Sequence, residues 1–237
     1  MDNTTITNFE MLDEYIQCIE NGKLKKQISS FFKLMHDRLK ECPASNKLEY
    51  HNSFPGGLLD HSIRVVQIAL DIFGIFQKFQ VEMTCTESDI IVASLLHDIG
   101  KLGTLDDLYY IPQDNEWRKE NLGEHYKYNA DIPIMPHSHR SIFLLQQIGI
   151  EVSLPIWKAI IAHDGLYTDT NRSYFITMPS SKDDILMHII HQADIMSAIT
   201  ESNYRIHSNN DDDDEPKKEL SEKEFNKITD ELLAKWD

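Results

Sequence analysis

Apolar positions recur along this chain at intervals of three and four residues, the period of helices with one buried face. Thr7-Asn8-Phe9-Glu10 has the form of a capping box, and Met11, Leu12, Tyr15, Ile16 and Ile19 follow at helical spacing. Asn21-Gly22 predicts the end of that first helix. A second helix carries Ile28, Phe31, Phe32, Met35 and Leu39 and stops before Cys42-Pro43. A third begins near Leu58 and carries Ile63, Val66, Leu70, Phe73 and Phe76. A fourth starts at Thr86, has Asp89 at the capping-box position, and runs to His97-Asp98. Helices resume near His137, Pro155 and Asp183. The fold class expected is all-α.

Two stretches break the period. Residues 103–135 are rich in Tyr, Pro, Asn and Gly, and Tyr109-Tyr110-Ile111-Pro112 suits a short strand. An irregular segment this long inside a compact domain is commonly a lid or a substrate-binding insertion. Tyr109, Tyr110, Tyr126 and Tyr128 can stack on a base there, and Lys127 can meet a phosphate. A surface excursion packed on its own side chains is the alternative. A second irregular segment runs from Gly165 to Ser181.

Near the end, Ser208 to Pro216 is an acidic run and reads as a solvated linker, with a calcium site the lesser alternative. Ser221 and Glu224 then cap a helix with a stripe of Phe225, Ile228, Leu232 and Trp236. The stripe packs back on the core or, second, meets another copy. The organisation expected is N-terminal helices over 1–45 packing on the core, a catalytic-type domain over 46–205, and a linker with a C-terminal helix over 206–237.

Charge narrows the partners. The 237 residues carry a formal charge of -16, from 23 basic and 39 acidic side chains. A broad nucleic-acid grip needs clustered Lys and Arg, so the charge argues against that class. A small anionic substrate remains, since a bound metal inverts the local field. Cys18, Cys42 and Cys85 are too few and too scattered for a disulfide framework or a thiolate clip. No apolar run approaches membrane-spanning length, and the N-terminus is polar and acidic. A cytoplasmic protein is expected, of open oligomeric state.

The chemistry gathers on histidines and aspartates. His97-Asp98 closes an apolar helix at a glycine turn, Ile99-Gly100-Lys101. A neighbouring imidazole and carboxylate can bind one metal ion. His61, His137, His139, His163 and Asp194 supply further donors. The set is nitrogen and oxygen with no thiolate, which suits a hydrolytic or redox-active divalent metal better than a structural zinc. Gly56-Gly57 ahead of His61 allows close backbone approach. Lys101 is placed to hold a phosphate oxygen as a point charge, or else to face the helix dipole. His137 and His139, two apart, point in different directions, so one of them is the donor. Asp194 and His191 share a helix face, and a carboxylate amid Ile189, Ile190, Ile195 and Met196 is costly unless paired or metal-bound. His36 and His188 read as ordinary helix residues; His51, His125 and His207 read as solvent-facing.

The order H…HD…H…H…D over roughly 46–205 resembles the HD-domain metal-dependent phosphohydrolase superfamily. Gly56-Gly57-Leu58-Leu59-Asp60-His61-Ser62 is similar to a segment of the branch containing 3′–5′ exoribonucleases. Leu95 to Lys101 resembles the central signature, and Pro136 to Ser141 is similar to a segment that favours His137 over His139. Ala162 to Gly165 and Ala193-Asp194 follow in place, with Asp164 a departure from the pattern.

The resemblance implies an all-α helical bundle with irregular loop insertions. It implies that His61, His97, Asp98 and Asp194 hold one metal, and that Asp98 bridges to a second on His137 and His163. The ions would be divalent: Mn, Fe, Co, Mg or Ni. A water between them would attack phosphorus, with Lys101 and Arg140 or Arg64 as added cations at the substrate. The substrate implied is a nucleotide or short oligonucleotide. A 3′–5′ exonuclease and an HD-fold diiron oxygenase with the same six ligands are the alternatives. The Gly-Tyr-Pro signature of cyclic-dinucleotide phosphodiesterases is absent after His163.

Overall fold

In the computed structural model the chain is helical, with one two-stranded ladder among the described residues, which are 3–167, 169–175 and 182–208. The order is α1 (Asn3–Gln17), α2 (Gly22–Leu34), α3 (His36–Glu41), α4 (Gly57–Lys78) and α5 (Glu87–Leu96). Then come β1 (Tyr110–Pro112), α6 (Glu116–Leu122), β2 (Tyr126–Tyr128), α7 (His137–Gln147), α8 (Leu154–Ala162), α9 (Arg172–Phe175) and α10 (Ile185–Ser208). Met1–Asn203 forms one compact unit. Of the second unit, Tyr204–Asp237, the described part is the helical stretch 204–208. The acidic run after Ser208 and the stripe from Phe225 to Trp236 lie outside the described residues.

α5 is the centre. Ile90, Ile91, Val92, Ala93, Leu95 and Leu96 are all buried, so this helix is apolar around its circumference. The capping box expected at its start is formed: Thr86 Oγ1 accepts from Asp89 N, and Asp89 Oδ2 accepts from Thr86 N. α4 and α8 pack on it, and α1 packs on α4. Leu12, Ile16 and Ile19 from the N-terminal segment join the same buried cluster.

Three boundaries differ from the sequence pattern. α1 begins at Asn3, so Thr7 to Glu10 lies inside the helix and caps nothing. Asn21 does not stop α1; its side chain accepts from Lys23 N and Leu24 N and starts α2. The second helix is two: α2 ends at Leu34, and α3 restarts at His36 after Met35. Ile28, Phe31, Phe32, Met35 and Leu39 are nevertheless all buried, because apolar period survives a small bend.

The insertion 103–135 contains the ladder. Tyr110 pairs with Tyr128, Ile111 with Lys127 and Pro112 with Tyr126, antiparallel, with α6 between the strands. Arg38 of α3 clamps its entry by donating to the carbonyls of Thr104 and Leu105. The segment after His163 holds short 3₁₀ turns at Gly165–Tyr167 and Asp169–Asn171, then α9.

Candidate metal centre

His97 and Asp98 stand at the end of α5, where the chain tightens into a 3₁₀ turn, Ile99–Leu102. α7 is strapped to that turn. Gly100 N donates to Ser141 Oγ at 2.8 Å, and Ser141 Oγ donates to the carbonyl of His97 at 2.8 Å. A Cβ on Gly100 would lie 2.0 Å from the carbonyl oxygen of His137. The glycine is needed for this contact, which brings the first turn of α7, and His137, beside Asp98.

Asp98 is buried, and its two oxygens face different histidines. Oδ2 lies 3.4 Å from His97 Nε2 and 3.7 Å from His61 Nε2. Oδ1 lies 3.2 Å from His137 Nε2 and 3.4 Å from His163 Nε2. Asp194 Oδ1 stands 3.0 Å from His61 Nε2 and 3.9 Å from His97 Nε2. Two donor groups result, His61–His97–Asp98 and Asp98–His137–His163, and each can hold a metal ion. The chain thus brings together His61, His97, Asp98, His137, His163 and Asp194. His139 is exposed and apart from them.

The buried donors fit a cation. His61 Nε2, His97 Nε2 and Asp98 Oδ1 are closed to solvent and, although they face opposite charges across the centre, make no well-aligned hydrogen bond. Such groups are costly without a ligand. The outer ring nitrogens, by contrast, are anchored. His97 Nδ1 meets the Ser94 carbonyl at 2.6 Å and His163 Nδ1 the Ile160 carbonyl at 2.7 Å, each three residues back on its own chain. A proton held on Nδ1 by a carbonyl leaves Nε2 as the lone-pair donor, the usual support of a metal-binding imidazole.

Electrostatics points the same way. Burial works against a charged His61, but Glu201 and Asp194 outweigh it and lift its pKa to about 10. Burial also opposes charge on His163, and Asp164 with Asp98 lifts it to about 9. Asp98 is held well below the carboxylate range despite its burial, by Lys101 and the histidines. Asp164, against its burial, is drawn down to about 2 by His163 and His137. His97 is lowered, chiefly by burial. The pocket stabilises positive charge, and metal and proton compete for the same atoms.

Four side chains differ from expectation. Arg64 does not line the cavity over the centre; it faces Glu201 Oε1 at 3.3 Å and Asp60 Oδ2 at 3.1 Å. Arg140 is buried, donates to the carbonyls of Met135 and Gly100, and lies over the Tyr109 ring at 4.2 Å. Lys127 pairs with Asp114 at 2.7 Å, outside that cavity. His51, expected in solvent, lines the cavity with its ring 4.7 Å from that of His61. Its pKa is well below the usual value, through burial first and then the nearby His61 and Lys101. The polar sequence around it hid this, because the loop before α4 folds inward. Around Asp194, Ile195 and Met196 are exposed, so the apolar surroundings come from one side of α10 only. His191 Nδ1 donates to the His163 carbonyl at 2.6 Å and backs that residue.

Glu201 was not singled out by sequence. It is buried on α10, and its carboxylate meets His61 Nδ1 at 3.0 Å. A signal existed: seven residues after Asp194 is two helical turns on the same face. Lys101 reaches Asp98 Oδ2 with Nζ at 2.6 Å and lines a cavity of about 680 Å³ above the centre. Tyr109, Tyr110 and Tyr128 of the insertion form part of its wall.

A helical shell closing on a shared aspartate and paired histidines defines a metal-dependent hydrolase centre of the HD type. Residues 58–199 match the HD domain, and the chain belongs to that family. It is an HD-type metal-dependent phosphohydrolase. It is also similar to dihydroneopterin 2′,3′-cyclic phosphate phosphodiesterase of Methanocaldococcus jannaschii, 24% identical over 197 residues, which are 78% of this chain and 68% of that protein. No solved structure matched the chain. No helix among the described residues is long and apolar enough to cross a membrane.

Proposed function

We propose that this protein is a two-metal phosphodiesterase of a small nucleotide-type substrate. The observation that carries the reading is Asp98, whose two oxygens each face a different histidine pair below a tyrosine-walled cavity. His61, His97, Asp98 and Asp194 would hold one divalent ion, and Asp98, His137 and His163 the other. Bound there, the ions supply a water of lowered pKa and neutralise charge on the phosphoryl oxygens.

The chain's own residues do the rest. Lys101 adds a fixed cation at the cavity wall beside Asp98. Tyr109, Tyr110 and Tyr128 offer ring faces to a planar group on the substrate. Asp164 stands 3.4 Å from His137 Nε2 and 3.6 Å from His163 Nε2, where it adds negative charge to the second donor group. The similar archaeal protein is named for a cyclic phosphodiester on a pterin, which joins a phosphate ring to a planar one. That chemistry sets the first substrates to try.

The test is a product-release screen of protein loaded with Mn²⁺, Mg²⁺, Co²⁺ or Fe²⁺ over 2′,3′-cyclic, 3′,5′-cyclic and linear nucleotides and pterin cyclic phosphates. A metal-dependent phosphodiester cleavage is expected. No cleavage with any ion, together with bound iron and oxygen uptake, overturns the reading in favour of a diiron oxygenase.

A further inference from the structure

The cavity over the metal centre is not alone. A second, of about 610 Å³, lies against the outer side of the same tyrosine ladder. The two share Asn46, Tyr50 and Tyr128 as a common rim. Each volume is within the range that encloses a small ligand, roughly 300–1,000 Å³. Nothing in the proposed chemistry uses the outer one.

Its walls are built. The loop before α4 is tied to the insertion: Leu48 N donates to the Gly123 carbonyl at 2.8 Å, and Tyr126 N donates to the Asn46 carbonyl at 3.2 Å. Tyr126 and Tyr128 line the cavity, the Tyr128 ring stacked on Tyr110 at its back. Buried Gln113 is set by its own donor and acceptor contacts: its backbone N donates to the His125 carbonyl, and its side-chain oxygen accepts from Asn115 N.

Charge decides what fits. Each cation lining the outer cavity already faces a carboxylate. Lys47 lies 3.5 Å from Glu124, Arg118 lies 2.6 Å from Glu124, and Lys127 lies 2.7 Å from Asp114. A phosphate would have to break these pairs. An uncharged planar heterocycle would not; it would stack on tyrosine and bond to amide groups.

We infer that the outer cavity is a subsite for a second, uncharged planar ring, so that the preferred substrate is a diester carrying an aromatic group on each side of the scissile phosphate. One ring would sit in the inner cavity and the phosphate at the metal centre. The other would cross the Asn46–Tyr50–Tyr128 rim into the outer cavity. This rests on the phosphodiesterase reading.

The experiment compares a dinucleoside monophosphate with the methyl ester of the same nucleotide on the metal-loaded protein. Lys127→Trp and Asp114→Trp fill the outer cavity from its own wall, where Asp114 is exposed and Lys127 half-buried, and neither residue lines the cavity over the donor set. In the wild type, kcat/KM for the dinucleoside should exceed that for the methyl ester about tenfold, the scale of one base stacked on an aromatic wall. Either variant should bring the ratio near one, with metal content and methyl-ester turnover unchanged. A ratio near one in the wild type, or an unchanged ratio in both variants, overturns the subsite. A parallel arm measures binding of a non-hydrolysable phosphonate-linked dinucleoside. If neither ester is cleaved, the phosphodiesterase reading fails by itself. The subsite then stands or falls on whether both variants weaken that binding about tenfold.

Discussion

Asp98 concentrates the chemistry of this protein in one carboxylate. It faces four imidazoles and one ammonium, all within 3.7 Å of an oxygen. Asp98→Asn keeps the shape and removes the charge. Metal content and phosphodiester cleavage should both fall to background, while far-UV circular dichroism stays as in the wild type; retained metal at full occupancy would refute the shared-aspartate centre. An alanine there is a poorer probe: both changes take the counter-charge from buried Lys101, at a cost of about 3–5 kcal/mol, but alanine also removes the oxygen that accepts from Lys101 Nζ and leaves a void. Glu201 acts at one remove. It orients His61, and Asn8, Asn52, Asp60 and Arg64 extend that support. Glu201→Gln should weaken metal affinity about ten- to hundredfold, measured by equilibrium dialysis, with little change in fold. Residue types at a metal centre are legible in sequence when they are donors. Their supports are not, since a glutamate on a helix looks like any solvated one until its helix is packed. His51 was hidden for the same reason.

Among the elements, the strap between the α5–turn junction and α7 sets the spacing of the two donor groups. Gly100 has no room for a methyl group: the missing Cβ would meet His137 O at 2.0 Å and Ser141 N at 2.7 Å, both backbone atoms. Gly100→Ala must push α7 away from the turn. It should lower stability by about 1–3 kcal/mol. It should also cost metal at His137 and His163 before it costs metal at His61 and His97. Thermal unfolding and metal titration together check this; a variant as stable and as well loaded as the wild type would show that α7 is not held by that contact. Periodicity gave the helices and their buried faces well, because both follow from local spacing. Boundaries were less readable. Asn21 carries a signal for a stop and for a start, and only the packing of Ile19 and α2 decides between them. In the insertion, the strand at Tyr110–Pro112 was visible but its partner at Tyr126–Tyr128 was not, since pairing across α6 is a long-range choice.

At the scale of the molecule, buried charge links metal loading to stability. Helices α4, α5, α7, α8 and α10 each bring at least one donor to the centre or to the turn that closes it. Without cations, imidazole nitrogens and a carboxylate oxygen remain inside the bundle with no well-aligned hydrogen bond. An ion that binds the folded chain alone stabilises it by about 2.7 kcal/mol at a hundred times its dissociation constant. Chelator treatment should therefore lower Tm, and readdition of Mn²⁺ or Co²⁺ should restore it. Two ions per chain are expected. His163→Ala removes one donor from the second group and leaves His61, His97 and Asp194 in place, so it should bind one ion and recover only part of the Tm gain. Metal analysis alongside calorimetry separates the outcomes. If the wild type takes up one ion and His163→Ala matches it in Tm and turnover, Asp98 serves a single-metal centre, and His137 and His163 contribute hydrogen bonds instead of a second site.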